Sequence, residues 1–473
     1  MNSIAVVILA AGLGKRMGSD LPKALVSTIE KPLIEHVLAT VKELNAERVV
    51  VVTGHAADKV RDCSLSAAQR LEFGATKVLF ALQEKQLGTG DAVRAALPCL
   101  KDFHGSVLVL CADMPLVRQQ TLAKLIELHG NEKATLSFIT LVTSEPASYG
   151  RVIRDTKTKR PTKIIEARDC TAEQLAITEI NAAMYVVDSA FLAPAVSELK
   201  NNNAQKEFYL TDIVERAANE GQTISTLVST DSLEIQGVNT RLDLAAVNAA
   251  LRRKAVAKFI EHGVIFDDPT SCFIDTNCSI GSGTRIGPNV QLLGASTVGN
   301  DVTIEGSAYI RDSQIGNNVL IRFSVRAEKA SIGENAKVGP FAHLRPGTIL
   351  AGDVHIGNFV ETKNAVIKSG AKANHLSYLG DCHVGENSNI GAGTITCNYD
   401  GYRKSHTEIG KGVFVGSNSS LVAPLTIEDG ATIAAGSVIT RKVESDALAI
   451  SRAEQVTKAG WSKRKREVES KKR

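Results

Sequence analysis

Aromatic side chains are scarce: they make up 4% of the 473 residues, with a single Trp. A core packed from rings is therefore excluded, and burial must come from aliphatic side chains, which suit a narrow interior. A charge excess is also missing. The net charge is +4, and residues 451–473 hold nine Lys/Arg against three Asp/Glu, so the rest of the chain is slightly acidic. That distribution excludes a globally basic nucleic-acid binder. The run Lys463, Arg464, Lys465 and Arg466 reads as a solvated, partly disordered terminus. The eight cysteines form no CxxC pair and no closely spaced framework, which excludes a disulfide scaffold and points to reduced thiols in a cytoplasmic setting. No apolar run is long enough to span a bilayer. The one beginning at Ile4 has no basic segment before it and is expected to be a buried strand rather than a signal peptide.

What the chain has instead is a beat of six. Ile409, Val415, Leu421, Ile427, Ile433 and Ile439 return at every sixth position. The same spacing links Ile274, Ile280 and Ile286, then Val298 and Ile304, Ile332 and Val338, and Val384 and Ile390. Period six fits neither a helix nor a lone strand. It fits a parallel β-helix with flat sides, in which each hexad supplies one inward aliphatic and a small residue at the bend, where Gly accepts positive φ. Residues 1–239 lack the beat. They alternate apolar runs (4–10, 48–53, 76–81, 106–111, 136–142) with amphipathic stretches (32–44, 90–97, 120–129), which predicts an α/β, doubly wound, Rossmann-like domain. In such sheets the ligand crevice lies beyond the strand C-termini, so chemistry is expected after Ala10, Leu82, Cys111 and Val142. Residues 240–262 have helix-forming composition and read as a linker helix. Residues 263–473 form the hexapeptide domain. Its beat breaks at 359–377 and 396–406, and interruptions of a regular solenoid are expected to carry function.

The first predicted strand runs into Leu9, Ala10, Ala11, Gly12, Leu13, Gly14, Lys15, Arg16 and Met17, with Pro22 and Lys23 soon after. This segment is not a Walker A loop, because Arg16 stands where Ser or Thr is needed. It is not a dinucleotide fingerprint, because Met17 replaces the third Gly. It remains a loop of small residues whose N–H groups can meet phosphate oxygens, flanked by the cations Arg16 and Lys23. Asp113 follows an apolar strand, where a carboxylate can hold Mg²⁺.

These residues resemble the signature of sugar-1-phosphate nucleotidyltransferases. The order of Gln83, Gly88-Thr89, Asp113, Gly150, Glu166, Asn181 and Asn239 is similar to that family's. With the hexads, the resemblance extends over nearly the whole chain to bacterial bifunctional N-acetylglucosamine-1-phosphate uridyltransferases/glucosamine-1-phosphate acetyltransferases. It implies that Gln83, Gly88 and Thr89 read the uracil of UTP, that Gly150, Glu166 and Asn181 hold N-acetylglucosamine 1-phosphate, and that Asn239 joins Asp113 on Mg²⁺. The chain departs from the family pattern at Cys111-Ala112, where many members carry an aromatic residue and a Gly.

In the hexapeptide region the resemblance implies a left-handed β-helix with His375 as the base that deprotonates the amine of glucosamine 1-phosphate. Arg345 and Lys363 are cations able to grip a sugar phosphate. Tyr378 and Asn389 correspond to sugar contacts, and Ala392, Ser417, Ala435 and Arg452, with Asn398 and Tyr399, to the acetyl-CoA site. The resemblance also implies a homotrimer and a supply of precursors for peptidoglycan and lipopolysaccharide. Two other readings stay open on sequence alone: a nucleotidyltransferase whose β-helix only assembles or regulates it, and a non-catalytic assembly factor.

Overall fold

The computed structural model describes residues 3–472 apart from 15, 16, 18–20, 29 and 30. It divides into two compact units, Met1–Leu251 and Arg252–Arg473. The first holds one sheet built from β1 (Ile4–Leu9), β2 (Arg48–Thr53), β3 (Lys77–Leu82), β4 (Ser106–Cys111), β5 (Leu136–Val142), β6 (Arg151–Arg154), β7 (Pro161–Ile165), β8 (Glu179–Asp188) and β9 (Ile224–Ser229). The main order is β3-β2-β1-β4-β8-β5-β9, with β6 and β7 paired beside β8.

Strand β1 shows why the sheet is covered on both faces. Its alternate residues Val6 and Ile8 pack with Ile34, Val37 and Leu38 of helix α1 (Leu33–Lys42), Val60 of helix α2 (Ala57–Arg70) and Leu122. Ala5 and Val7 pack instead with Val93 of helix α3 (Thr89–Ala96), Phe191 and Ile213. A strand buried on both faces must read as a continuous apolar run, as this one does. Strand β1 pairs in parallel with both β2 and β4, so the strand order reverses there and opens a crevice at the ends of β1 and β4. The sheet is not wholly parallel. Strand β8 runs antiparallel to β4 and β5; among the described residues the connection from β7 to β8 holds only the 3-10 turn Ala167–Asp169 and the short helix Ala172–Leu175.

The second unit is a parallel β-helix. Over most of its length every third strand belongs to one eleven-stranded sheet, and every second one where the long strands Glu361–Ile367 and Tyr378–Val384 intervene and at the last step; the remaining strands form a second sheet of seventeen that bends around the other two sides. One column of inward side chains on the first sheet runs through Ile356, Ala373, Ile390, Val415 and Ile433, all buried. A full turn is 18 residues where Lys337 pairs His355, and 17 where His355 pairs Lys372. That one-residue shortening corrects the reading of 359–377 as an irregular loop. The segment forms two ordinary strands, Glu361–Ile367 and Lys372–His375, and the sixfold beat merely slips by one position. The break at 396–406 is different. Asn389 pairs Phe414 across 25 residues, so this turn carries a true insertion.

Helix Arg241–Glu261 falls on both sides of the division between units. Val247 packs with Leu33 and Val238 in the first, and Val256 with Val264 and Cys272 in the second. The basic tail, expected to be partly disordered, contains the helix Trp461–Ser470, none of whose residues is buried.

Candidate active sites

At the switch point of the first unit lies a cavity of about 240 Å³ lined by Leu9, Ala10, Ala11, Gly12, Lys23, Gln83, Gly88, Thr89, Cys111, Ala112 and Asp113, and also by Gln86 and Glu207. Three of the four strand ends singled out from the sequence therefore meet in one place. The fourth, Val142, is outside this lining. Arg16 lies outside the described residues.

Lys23 is the centre of this site. Its Nζ donates to Asp113 Oδ2 and, at 2.8 Å, to Asn239 Oδ1. The Asn239 amide is turned this way because its Nδ2 donates to Gly237 O at 3.3 Å. Two oxygen acceptors from distant parts of the chain thus converge on one cation, which is the donor chemistry a hard divalent ion requires. Next to them, burial first and the Asp113 charge second push the Cys111 thiol up to about 12. It stays protonated at neutral pH and is no nucleophile.

Gln83 is buried, and its Nε2 donates to Gly88 O at 3.1 Å and Asp91 Oδ2 at 2.8 Å. That fixes the amide with Oε1 as its remaining hydrogen-bonding atom. Gly88 takes φ +110°, and a Cβ there would meet Phe208 O at 2.6 Å, so no larger residue fits. Thr89 Oγ1 accepts from Leu210 N at 3.0 Å, which ties the start of α3 to the 207–210 segment.

Gly150, Glu166 and Asn181 form a second group. Asn181 N donates to Gly150 O at 2.9 Å, and a Cβ on Gly150 would stand 3.5 Å from both Glu166 carboxylate oxygens. Thr211 Oγ1 donates to Glu166 at 3.3 Å, and Asn181 Nδ2 to Tyr185 OH at 2.6 Å. Burial raises the Glu166 carboxyl above its ordinary value against the hydrogen bond from Thr211. Asp91, Thr211 and Tyr185 were not found in the sequence, because their partners lie from 4 to 45 positions away across the fold.

In the second unit, His375 ends a strand and is exposed at a corner of the β-helix. Asn358 pairs with it on the turn before. Ser377 Oγ donates to His375 O at 2.9 Å and lies 3.3 Å from Gly391 O, linking this corner to the turn that carries Ala392. Lys372 pairs Asn389, and Asn389 pairs Phe414, so the register carries His375 onto Ala392 and Ala392 onto Ser417. Asn418 N donates to Ala392 O at 2.7 Å, and Gly436 N to Ser417 O at 2.8 Å. Arg452 Nη1 closes the series on Ala435 O at 2.6 Å. Five candidate residues separated by as many as 77 positions therefore form one column along one edge.

Beside it, Arg345 Nη1 donates to Glu361 Oε1 at 2.8 Å, and Glu361 is the register partner of Tyr378. The Lys363 amine is held below its usual range, first by the close approach of the like-charged Lys404 amine, then by the charge of Arg345. Arg345, Lys363 and Lys404 thus make a cluster of three cations. Lys404 was missed because it sits in the insertion, where no spacing relates it to the other two. Asn398 is 8% exposed and its Nδ2 donates to Asp381 Oδ2, while Asp381 Oδ1 accepts from Asn364 Nδ2 at 2.7 Å. Burial would raise Asp381, but these two hydrogen bonds, with Lys404 and Lys363, hold it below the ordinary carboxylate range. Tyr399 is exposed and donates to Gly401 O at 2.6 Å.

Residues 6–169 match the MobA-like NTP transferase domain, and residues 277–312 and 406–441 match the bacterial transferase hexapeptide (six repeats). The chain is 44% identical to the bifunctional protein GlmU of Geotalea uraniireducens over 98% of its own length and 100% of that protein's. The chain belongs to the bifunctional GlmU family. Its relatives of the same description include those of Acinetobacter baumannii, 43% identical over 98% of both chains, and Geobacter sulfurreducens, 41% identical over 99% of this chain and 100% of that one. Membership makes both units transferases, an N-terminal nucleotidyltransferase and a hexapeptide acyltransferase.

Proposed function

We propose that the two units divide two consecutive reactions between the two sites described. The protein is a bifunctional enzyme of UDP-N-acetylglucosamine synthesis, which supplies cell-wall precursors. It transfers the acetyl group of acetyl-CoA to glucosamine 1-phosphate, then UMP from UTP to N-acetylglucosamine 1-phosphate with release of pyrophosphate.

For acetyl transfer, His375 takes the proton of the sugar amine as that amine attacks the thioester carbonyl, work suited to an imidazole. Arg345, Lys363 and Lys404 receive the 1-phosphate, and Tyr378 and Asn389 the sugar. Ala392, Ser417, Ala435 and Arg452 line the path of acetyl-CoA, where small side chains let its pantetheine arm lie against the β-helix, with Asn398 and Tyr399 bounding it. The observation that supports this reading is the single column from His375 to Arg452.

For uridylyl transfer, the phosphate of N-acetylglucosamine 1-phosphate attacks the α-phosphorus of UTP directly, and no protein nucleophile is needed. Asp113 and Asn239 would hold Mg²⁺, which would supply positive charge against the phosphates of the two substrates. Lys23, with Arg16, neutralises the phosphates held by the loop Leu9 to Gly12. Gln83 Oε1 accepts from the uracil N3–H. Cytosine has no hydrogen there and is disfavoured. Gly150, Glu166 and Asn181 take the N-acetylglucosamine moiety.

We also assign a homotrimer in the cytoplasm. An exposed ladder of Phe323, Phe341, Phe359 and Leu376 on successive turns supports the assembly. Phe341, Phe359 and Leu376 take φ of 52°, 57° and 49°, conformations uncommon for bulky side chains and kept only where the fold fixes them. The free thiols of all eight cysteines support a reducing compartment. The deciding test follows thiol and pyrophosphate release separately. Asp113→Asn is expected to abolish pyrophosphate release and spare acetyl transfer, and His375→Ala to do the reverse. Loss of both activities in either folded variant refutes the division.

A further inference from the structure

Apart from both sites, three metal-ligating side chains converge on the outer surface of the β-helix at the end of the inserted segment. His383 lies on strand Tyr378–Val384 and Glu408 on Thr407–Ile409, where the two residues are register partners. His406 stands two positions before Glu408. His383 Nδ1 is 3.1 Å and His406 Nε2 3.2 Å from the same atom, Glu408 Oε2. The two rings meet edge to face with centroids 4.6 Å apart. The three ligating atoms all lie within 4.8 Å of one another.

Metal–ligand bonds of about 2.0–2.1 Å in a tetrahedron set ligand atoms about 3.3 Å apart. The two His–Glu separations are within a few tenths of an ångström of that edge, and the two imidazole nitrogens, within 4.8 Å of each other, reach it by rotation of exposed side chains. The donor set is also selective. Two imidazoles with one carboxylate suit Zn²⁺ and its neighbours, whereas Mg²⁺ and Ca²⁺ take oxygen ligands. It therefore differs in kind from the oxygen pair of Asp113 and Asn239.

We propose that His383, His406 and Glu408 bind one divalent ion of the zinc class, with water completing the tetrahedron. The consequence is mechanical. His383 belongs to the turn before the insertion, and His406 follows Asn398, Tyr399 and Lys404 at its far end. The ion would fasten the returning end of that segment to the preceding turn, opposite the Asn398–Asp381 contact at its start, and so hold the loop at both ends.

The test uses the full-length protein in excess Mg²⁺, which occupies oxygen-only sites, titrated with Co²⁺ and then displaced by Zn²⁺. One equivalent of Co²⁺ per chain is expected, with the visible bands of tetrahedral cobalt and no thiolate charge-transfer band. Zn²⁺ is expected to slow amide exchange in residues 396–406. His383→Ala and His406→Ala are each expected to weaken Co²⁺ binding at least tenfold. The three side chains are exposed, so the variants are expected to keep the parental metal-free Tm. Should one unfold, Glu408→Gln, which preserves shape, is expected to show the same loss. No bound Co²⁺ in the micromolar range, a thiolate band, or variants that bind as tightly as the parent overturns the proposal.

Discussion

Removing the Asn398 side chain is the most informative perturbation of the acetyl-transfer unit. Asn398 N donates to Thr396 O and its own carbonyl accepts from Ser405 N, both at 2.9 Å, so this residue sits at the mouth of the insertion. Its amide reaches across to Asp381 on the preceding turn. A hydrogen bond to an ionised partner contributes about 1.5–3 kcal/mol, so Asn398→Ala lowers the population of the seated loop roughly tenfold to 150-fold. The KM for acetyl-CoA is expected to rise at least tenfold in a thiol-release assay, with uridylyl transfer unchanged. A loss of about 2 kcal/mol corresponds to a fall of about 4–8 °C in the Tm of a unit of this size. Asn364→Ala provides the contrast. It removes an exposed bond to the same carboxylate, which is worth less and does not hold the insertion, so the KM is expected to stay. Asp381→Ala separates anchoring from direct contact with acetyl-CoA: the double variant Asp381→Ala/Asn398→Ala is expected to be no worse than Asp381→Ala alone. An Asn398→Ala enzyme with an unchanged KM, or fully additive effects, refutes the reasoning.

Three further outcomes are expected. Lys23→Ala removes the ammonium that competes for Asp113 and Asn239, so Mn²⁺ should bind the free enzyme more tightly by electron paramagnetic resonance while uridylyl transfer falls at least a hundredfold. Gly416→Ala puts a Cβ 2.5 Å from Ala435 N, and overpacking of about 1–3 kcal/mol should lower the second unit's Tm and raise the KM for acetyl-CoA, leaving pyrophosphate release intact. Burial, then Glu215 and Asp169, push the Asp212 carboxyl up from 3.8 to about 6. The unfolded chain therefore gives up this proton first, and the first unit loses stability as pH rises from about 4 to about 6. Because the group is half exposed, the loss is discounted to about 1 kcal/mol. Asp212→Asn should flatten that part of a Tm–pH profile.

The boundaries of β2, β4 and β5 were legible because strands buried on both faces have to be continuously apolar, and the β-helix was legible because each turn repeats the same inward position. The slip near residue 370 was misread for a physical reason. A solenoid tolerates a one-residue shortening at a corner without leaving its path, and in sequence that looks like a loop. Residues such as Lys23, Asp113 and Asn239 could be named from motif order, yet their convergence on a single point could not. Nor could the partners that orient them, Asp91 for Gln83 and Asp381 for Asn398, since a carboxylate at an unremarkable position carries no periodic signal. Lys404 was hidden for the same reason.

The turn of 25 residues between Asn389 and Phe414 has a further meaning. The inward column passes from Ile390 to Val415 to Ile433 as though nothing had been added, and in a solenoid each turn meets only its neighbours. Extra length at this corner therefore disturbs no packing elsewhere. The corner is a natural splice point: segments of other lengths and chemistries could be exchanged there while the strand that ends at His375 keeps its register.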